Sequence, residues 1–338
     1  MQCFFIYVIL YIIGDKMEIV DNKCPTCGSS IEFDISTQNW KCKHCRNNFT
    51  IEDMKKVKHN TKKSLNELLC PTCNAILLTN ENDISTKCIY CRNNVIINKT
   101  SDKVPIPDKI IPFRIGKKET KKIIKEYLED KQFLPKDFSI NKYINDIQGI
   151  YIPFWLYKNK YKVSVRKNYM RHDKAEVEFE NIPFDANKHL NNKVTSSLEP
   201  FDYKELIKFN SAYLSGFMAQ KYDVDESSGR KDVKDRCTST IEMLFKDANS
   251  KYYEPQIELI QETLIEEKAY YALLPIWLLN FKYNNNEYLI AINGQTGKIT
   301  ASLPVDETKL SKQKLKIMFI TFIISILIFI FLRWMGWI

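Results

Sequence analysis

The longest hydrophobic pattern lies near the C-terminal end of the chain. Residues 317–332 form a run of sixteen residues without a charge. As a helix this run reaches about 24 Å, and extension to Ile338 covers the roughly 30 Å of a bilayer core if Arg333 extends to the far headgroups. Because a soluble core helix normally keeps a polar face, the pattern predicts one transmembrane helix rather than a buried helix.

A second apolar run, residues 3–13, contains eleven residues. A helix of this length covers only about 16 Å, which is too short to span a bilayer. Met17 follows closely and stands just before the first cysteine motif. We expect translation to start at Met17, which makes residues 1–16 an upstream extension. A short interfacial anchor is the alternative.

Between these ends, the hydrophobic spacing changes between helical and strand patterns. Residues 117–130 and 230–247 predict helices. Residues 149–157 and 271–283 predict strands, and both contain the string Pro-x-Trp-Leu. We therefore predict an α+β body over residues 101–306, built from two related units, each with a helix followed by strands.

The cysteines form an internal repeat. Eight of the ten belong to four Cys-x-x-Cys pairs, and residues 24–51 align with residues 70–97 without gaps. A Cys-x-x-Cys knuckle directs two thiolates at one ion, and two knuckles complete a tetrahedral zinc site. The repeat predicts two tandem four-cysteine zinc ribbons. The predicted ligands are Cys24, Cys27, Cys42 and Cys45 in the first ribbon, and Cys70, Cys73, Cys88 and Cys91 in the second.

Each predicted ribbon is a hairpin with a closed metal site. In the first, residues 31–33 and 39–41 predict strands joined by a turn at 36–38. Four sulfur ligands leave no open position for water, so we expect two structural Zn²⁺ ions in a reducing compartment. His44 in the second knuckle can replace a cysteine in principle, but four cysteines already suffice. A redox role for the pairs is the other interpretation.

The patterns divide the chain into six segments. In order, they are an extension at 1–16, a first ribbon at 17–52, a basic linker at 53–68, a second ribbon at 69–100, the α+β body at 101–306, and a basic flank with a transmembrane tail anchor at 307–338.

Charge places the body relative to the membrane. The formal net charge is +9, and residues 307–338 carry five basic side chains against one acidic one. Four lysines precede the apolar run: Lys309, Lys312, Lys314 and Lys316. Because positively charged flanks stay in the cytoplasm, we predict a single-pass membrane protein with a cytoplasmic body.

Charge also bears on nucleic-acid binding. With Zn²⁺ and four thiolates included, residues 23–51 are neutral and residues 69–97 are acidic. Nucleic-acid-binding domains usually carry a basic surface, which these ribbons lack. The lysine-rich residues 55–63 keep nucleic-acid binding open as an alternative.

Motifs for catalysis are missing from the sequence. Neither H-E-x-x-H nor G-x-S-x-G occurs, and Ile299 follows Gly-Lys where a phosphate-binding loop needs Ser or Thr. We therefore predict that the protein is not an enzyme.

Several strings together resemble a known family. They are CPTCGSSIEFDISTQNWKC, GIYIPFWLY, SSLEPFDY, YLSGFMAQKYDVD and LLPIWLLNFKY, followed by NGQTGKI and LPVD. In this order they resemble bacterial membrane proteins with a transcription-factor-IIB-type zinc ribbon. Such proteins often carry a primosomal-helicase label, but this chain has no helicase motor motif.

The resemblance implies protein partners of the SPFH (flotillin-like) or phage-shock type at the inner face of the membrane. We expect a membrane-anchored adaptor that holds protein partners there. A membrane-tethered nucleic-acid-binding protein is the alternative.

Overall fold

The computed structural model describes the chain in ten stretches. These are residues 24–29, 31–56, 66–70, 75–79, 85–88, 90, 94–96, 105–167, 171–247 and 257–335. The predicted extension at 1–16, Met17, and most of the predicted linker lie outside them. The described stretches mix helices with sheets, which confirms the mixed class predicted from the sequence.

The described residues contain five α-helices: α1 (Ile51–Lys56), α2 (Lys117–Glu129), α3 (Asn192–Leu198), α4 (Glu226–Asp247) and α5 (Glu307–Trp334). Short 3-10 helices span Ile140–Lys142, Ile144–Asp146, Tyr203–Glu205 and Ser211–Leu214. The predicted helix at 117–130 is confirmed. The helix predicted at 230–247 begins four residues earlier, where Glu226 in the first turn favours the positive end of the helix dipole.

The same stretches contain fifteen strands: β1 (Ile31–Asp34), β2 (Asn39–Cys42), β3 (Asn48–Phe49), β4 (Asn66–Leu69), β5 (Ile76–Thr79), β6 (Ser85–Lys87), β7 (Asn94–Ile96), β8 (Lys109–Ile110), β9 (Gln148–Lys167), β10 (Arg171–Asp185), β11 (Ile207–Lys208), β12 (Met218–Gln220), β13 (Ile257–Tyr283), β14 (Asn286–Asn293) and β15 (Ile299–Ala301). β1, β2 and β3 form one sheet, and β6 pairs with β7. The large sheet has the order β11-β8-β13-β9-β12-β5-β4, with β10 on β9, β14 on β13, and β15 on β14.

Two long strands form the centre of the large sheet. β9 and β13 pair antiparallel, with Pro153 opposite Leu273 and Trp277 opposite Gly149. β10 returns along β9, and β14 returns along β13. The two Pro-x-Trp-Leu strings therefore lie on adjacent antiparallel strands, and each proline is two residues beyond the residue that pairs with the other proline.

The strands that precede α2 and α4 cross to the opposite long strand. β8, which precedes α2, pairs parallel with β13 at Ala272 and Leu273. β12, which precedes α4, pairs parallel with β9 at Ile150 and Tyr151. Each short strand thus pairs with a long strand other than the next one along the chain.

The tryptophans of the two strings make equivalent hydrogen bonds. Trp155 Nε1 donates to the carbonyl of Val224 at 2.8 Å, two residues before α4. Trp277 Nε1 donates to the carbonyl of Ile115 at 2.8 Å, two residues before α2. The likeness of the strings therefore extends to what their side chains contact.

The prolines of the two strings contact two equivalent chain corners. We call residues 185–187, at the end of β10, the first corner, and residues 293–295, at the end of β14, the second corner. Ala186 N donates to Pro153 O at 3.2 Å, and Gly294 N donates to Pro275 O at 2.8 Å. At the first corner, the carbonyl of Ala186 accepts the N–H groups of Asp223 and Val224, just before α4. At the second corner, the carbonyl of Gly294 accepts the N–H groups of Arg114 and Ile115, just before α2. Glycine is required at 294, because a Cβ there would lie 2.6 Å from the Phe113 ring.

The predicted second ribbon shares a sheet with the body. β4 and β5 form a hairpin, and β5 pairs antiparallel with β12 through Leu78 opposite Ala219 and Leu77 opposite Gln220. The cysteine repeat is thereby connected to β9 through β12.

The C-terminal helix is joined to the body at its first turn. Asp306 caps α5 by accepting the N–H groups of Thr308 and Lys309, and its own N–H donates to Phe133 O at 2.8 Å. Lys309 Nζ donates to Leu134 O at 2.6 Å. These bonds attach the start of α5 to the loop that follows α2.

The two corners differ at one ionisable position. Asp185 Oδ1 and Asn293 Oδ1 each accept the N–H of the residue two positions later, at 2.9 Å in both cases. Asn293 Nδ2 also donates to Leu198 O at 3.0 Å. Asp185 is a carboxyl, and burial raises its pKa to about 7, although Thr195 and a backbone N–H lower it in part.

This difference predicts a pH dependence of stability. Because the folded pKa of Asp185 lies above its usual value of 3.8, protonation stabilises the fold at low pH, and this contribution is lost as pH rises through about 7. The variant Asp185→Asn has the residue type that Asn293 provides at the second corner and cannot ionise. As pH rises from 3.8 to about 7, its free energy of unfolding should increase relative to that of wild type by at most about 1.4 kcal/mol per pH unit. Thermal unfolding of the detergent-solubilised full chain at several pH values measures this gain.

The exposed Asp232 on α4 provides the control, since Asp232→Asn should follow the wild-type pH profile. An unchanged pH profile in Asp185→Asn would contradict the assignment.

Candidate metal centre

The first cysteine repeat folds as the predicted hairpin. β1 and β2 pair antiparallel with Ile31 opposite Cys42, which confirms the predicted strands and the turn between them. The pairing brings the end of one Cys-x-x-Cys knuckle next to the start of the other.

Both knuckles have the same backbone conformation. Gly28 N donates to Cys24 O at 2.8 Å, and Arg46 N donates to Cys42 O at 3.0 Å. The residue after each knuckle has a positive φ, 72° at Gly28 and 63° at Arg46. This turn directs the two sulfur atoms of a knuckle to one side, as a shared ion requires.

The four sulfur atoms lie within 4.8 Å of one another. Two of the separations, Cys24 Sγ to Cys45 Sγ and Cys27 Sγ to Cys42 Sγ, are 3.5 Å. Four sulfurs at the Zn–S distance of about 2.3 Å in a tetrahedron would be about 3.8 Å apart. The arrangement therefore fits a four-sulfur site, and these cysteines can hold a metal ion.

The thiols influence one another's ionisation. Hydrogen bonds from Ser29 lower the pKa of Cys27 to about 5. An N–H of Asn47 lowers the pKa of Cys45, but desolvation and the neighbouring cysteines outweigh it and raise that pKa to about 12. Four thiolates at these distances need a cation to neutralise them, which is the role of a metal ion.

His44 does not join this cluster. Its side chain is exposed to solvent on the second knuckle. Cys24 and Cys42 are buried, so the site has a dry inner side and one exposed sulfur, Cys27.

Aromatic side chains attach the first repeat to the body. Trp40 is fully buried, and its Nε1 donates to Ala212 O at 2.8 Å. Its ring lies 5.0 Å from the Tyr213 ring and 5.1 Å from the Phe33 ring, and Phe33 N donates to Ser215 O at 3.2 Å. Cysteine spacing alone does not predict this contact; its signal in the sequence is an aromatic residue two positions before Cys42.

The second repeat is described in part. Cys70 and Cys88 are both buried and pack in one apolar cluster with Ile150 and Ile152 of β9. Cys73 and Cys91 lie outside the described residues. Cys70 N donates to Ala75 O at 2.9 Å, and the equivalent bond in the first repeat joins Cys24 N to Ser29 O at 2.6 Å.

α5 is the second candidate functional element. It is long and apolar enough to cross a membrane, and its apolar side chains do not pack on the body: Phe319 is 64% exposed. The hydroxyls of Thr321 and Ser325 donate to the carbonyls of Met318 and Thr321, at 2.9 and 2.8 Å. Helix-internal hydrogen bonds of this kind suit a hydrocarbon environment, which offers no other partners.

Loss of the first cluster should be visible at Trp40. The variant Cys42→Ser removes one fully buried sulfur of the four-cysteine cluster, so we expect the hairpin to lose the folding energy that a bound metal would supply and to release Trp40 into water. We expect red-shifted tryptophan fluorescence from the full chain, and the same shift when a chelator is added to wild type.

The variant Trp40→Phe assigns this signal, because chelation should then leave the fluorescence of the remaining tryptophans unshifted. A shift that persists in Trp40→Phe would contradict the assignment.

Comparison with known proteins identifies a relative but no described function. No protein-family model and no solved structure matches the chain. The chain is similar to the uncharacterized protein YdjG of Bacillus subtilis (strain 168), with 32% identity over 316 residues that cover 87% of this chain and 92% of that protein. Similarity of this extent over nearly both full lengths shows that the chain belongs to the YdjG family.

Proposed function

We propose that the chain is a membrane-anchored zinc-ribbon adaptor, which holds protein partners at the cytoplasmic face of a bacterial membrane. The observation that carries this proposal is that one body bonds directly to both candidate elements. Trp40 attaches the four-cysteine cluster to the body, and Asp306 attaches the start of the apolar helix. A body joined at both places presents a defined surface at a fixed distance from the helix.

The metal in this proposal is structural zinc. Four sulfurs occupy all the positions of a tetrahedral ion and leave none for water or substrate, so the site supports folding rather than catalysis. We extend the assignment to the second repeat, with Cys70, Cys73, Cys88 and Cys91 as ligands of a second Zn²⁺. The equivalent backbone bonds at Cys24 and Cys70 support this extension.

The lysines at the start of α5 support the cytoplasmic orientation. Lys312, Lys314 and Lys316 are exposed, and the uncharged residues 317–332 follow immediately. A positively charged flank is retained on the cytoplasmic side during insertion. Thiolate clusters also persist better in the reducing cytoplasm than outside the cell.

Protein partners fit the charge of the first repeat better than nucleic acid does. With its metal and four thiolates, this unit carries no net charge, and the exposed Lys43 is paired with Glu32. Electrostatic attraction to phosphates needs unpaired cations on the domain. The family resemblance points to partners of the SPFH or phage-shock type, which we include in the proposal.

The zinc assignment predicts two ions per chain. Metal analysis of purified full-length protein with intact thiols should find two zinc ions. The variant Cys24→Ser should retain one, because each repeat has its own four ligands. The variant Cys237→Ser, which changes a buried cysteine outside both repeats, should retain two. A wild-type content of one or none would contradict the assignment.

The adaptor role predicts that one variant loses membrane association, whereas another keeps membrane association but loses protein partners. Deletion of residues 315–338 should move the chain into the soluble fraction, because the apolar part of α5 is removed. The variant Cys42→Ser should stay in the membrane but lose the partners that contact the first repeat. Crosslinking and pull-down from membrane and soluble fractions, with mass spectrometry of the captured proteins, measure both effects.

A salt titration of DNA and RNA binding decides between the adaptor and the nucleic-acid alternative. Weak binding that varies little with salt supports the adaptor. Tight binding that weakens steeply with salt, together with identical captured proteins in wild type and Cys42→Ser, would contradict it.

A further inference from the structure

The two corners of the body are covered by different parts of the chain. At the second corner, Gln295 Nε2 donates to Asp202 O at 3.0 Å, and Asp202 N donates to Gln295 Oε1 at 2.8 Å. Glu205 accepts from Gln295 and is paired with Arg114 at 2.9 Å. The second corner is therefore covered by a loop of the body itself.

At the first corner, the covering residue comes from the second cysteine repeat. Asn187, which is equivalent to Gln295, donates from Nδ2 to the Tyr90 hydroxyl at 3.0 Å. The Tyr90 hydroxyl also bonds to Gln220 Oε1. The Tyr90 ring centroid lies 5.2 Å from the His189 ring centroid, with the two ring planes tilted by 34°, and His189 Nε2 lies 3.2 Å from Asp223 Oδ2. We call this set the Tyr90 contact.

Tyr90 stands inside a predicted metal knuckle, between Cys88 and Cys91. The equivalent residue of the first repeat is His44, which is exposed. The same knuckle position therefore contacts solvent in one repeat and the body in the other. A zinc ion bound at Cys88 and the other cysteines of the repeat would fix the backbone of this knuckle and, with it, the position of Tyr90.

The Tyr90 contact also orders the corner beneath it. Asn187 uses its Nδ2 for Tyr90 and Gln220, while its Oδ1 accepts the N–H groups of His189 at 2.6 Å and Leu190 at 3.3 Å. Gln220 lies on β12, where β5 of the same repeat pairs with it. Withdrawal of the repeat would remove one of the two partners of Asn187 Nδ2, leaving Gln220 as the other, and would expose the edge of β12.

We propose that the second cysteine repeat is a metal-dependent latch on the body, with Tyr90 as its contact residue. With zinc bound, the knuckle holds Tyr90 against Asn187, Gln220 and His189 and keeps β12 covered. Loss of zinc releases Tyr90, uncovers the β12 edge and loosens residues 185–190. This inference rests on the proposed second zinc site, whereas the Tyr90 contact itself is described by the structure.

Hydrogen exchange on the full chain in lipid nanodiscs, followed by mass spectrometry, tests the latch. The variants are Tyr90→Ala, Tyr90→Phe and Cys88→Ser, with His44→Ala as the matched control at the equivalent knuckle position. In Tyr90→Ala and Cys88→Ser, the amides of His189 and Leu190 should exchange at least about tenfold faster, the effect of losing one to two hydrogen bonds. Tyr90→Phe, which keeps the ring, should show a smaller increase, and His44→Ala none.

Two further measurements separate the latch from the zinc assignment. Cys42→Ser should accelerate exchange at residues 212–215, where the first repeat contacts the body, and leave residues 186–190 unchanged. Zinc content is measured for every variant. Wild-type protein with one zinc would overturn the second zinc site and hence the metal dependence, while Tyr90→Ala still reports on the contact. Unchanged exchange in both Tyr90→Ala and Cys88→Ser would overturn the latch.

Discussion

The antiparallel pairing of β9 with β13 is the constraint on which the other parts of the fold depend. β10 and β12 attach to β9, while β8 and β14 attach to β13, so both hairpins and both crossing strands share one central ladder. The second cysteine repeat reaches that ladder through β12, and β15, which precedes the C-terminal helix, reaches it through β14. A shift in the register of β9 and β13 would therefore change the position of the second cysteine repeat and of helix α5 together.

The sequence predicts the local elements of this fold better than the connections between them. Helix α2 and the β1–β2 hairpin follow from hydrophobic spacing and cysteine position. β9 extends to Lys167, ten residues beyond the predicted strand, because this segment pairs with β10 on one side and with β13 on the other. On the β10 side, Lys158 Nζ lies 2.7 Å from Glu178 and from Glu180. From the sequence alone, the lysine-rich residues 158–167 are not predicted as part of the strand, because the carboxylates that pair with the lysines lie on a different strand. β8 and β12 are too short for any periodic signal, and their parallel pairing is set by segments more than 60 residues away.

The same limit applies to the candidate site. Cysteine spacing indicates which residues share an ion, because knuckle geometry is local. It does not indicate which knuckle faces the body: His44 and Tyr90 occupy equivalent positions, yet one is exposed and the other contacts Asn187. In the sequence, Tyr90 and Trp40 are recognisable only as aromatic residues close to cysteines. Their contacts with the body can be predicted only when the positions of their hydrogen-bond acceptors, Gln220 Oε1 and Ala212 O, are known from the fold.

The capped start of α5 has a mechanical consequence. Helix α5 is continuous from Glu307 to Trp334. The hydrogen bonds of Asp306 and Lys309 to the loop after α2 restrict the rotation between helix and body that a flexible linker would allow. In a bilayer, a helix adjusts to hydrocarbon thickness by tilting. Because the start of α5 is bonded to the body, a tilt of the helix would rotate the body by the same angle. The thickness of the bilayer would then determine the angle at which the body faces the membrane.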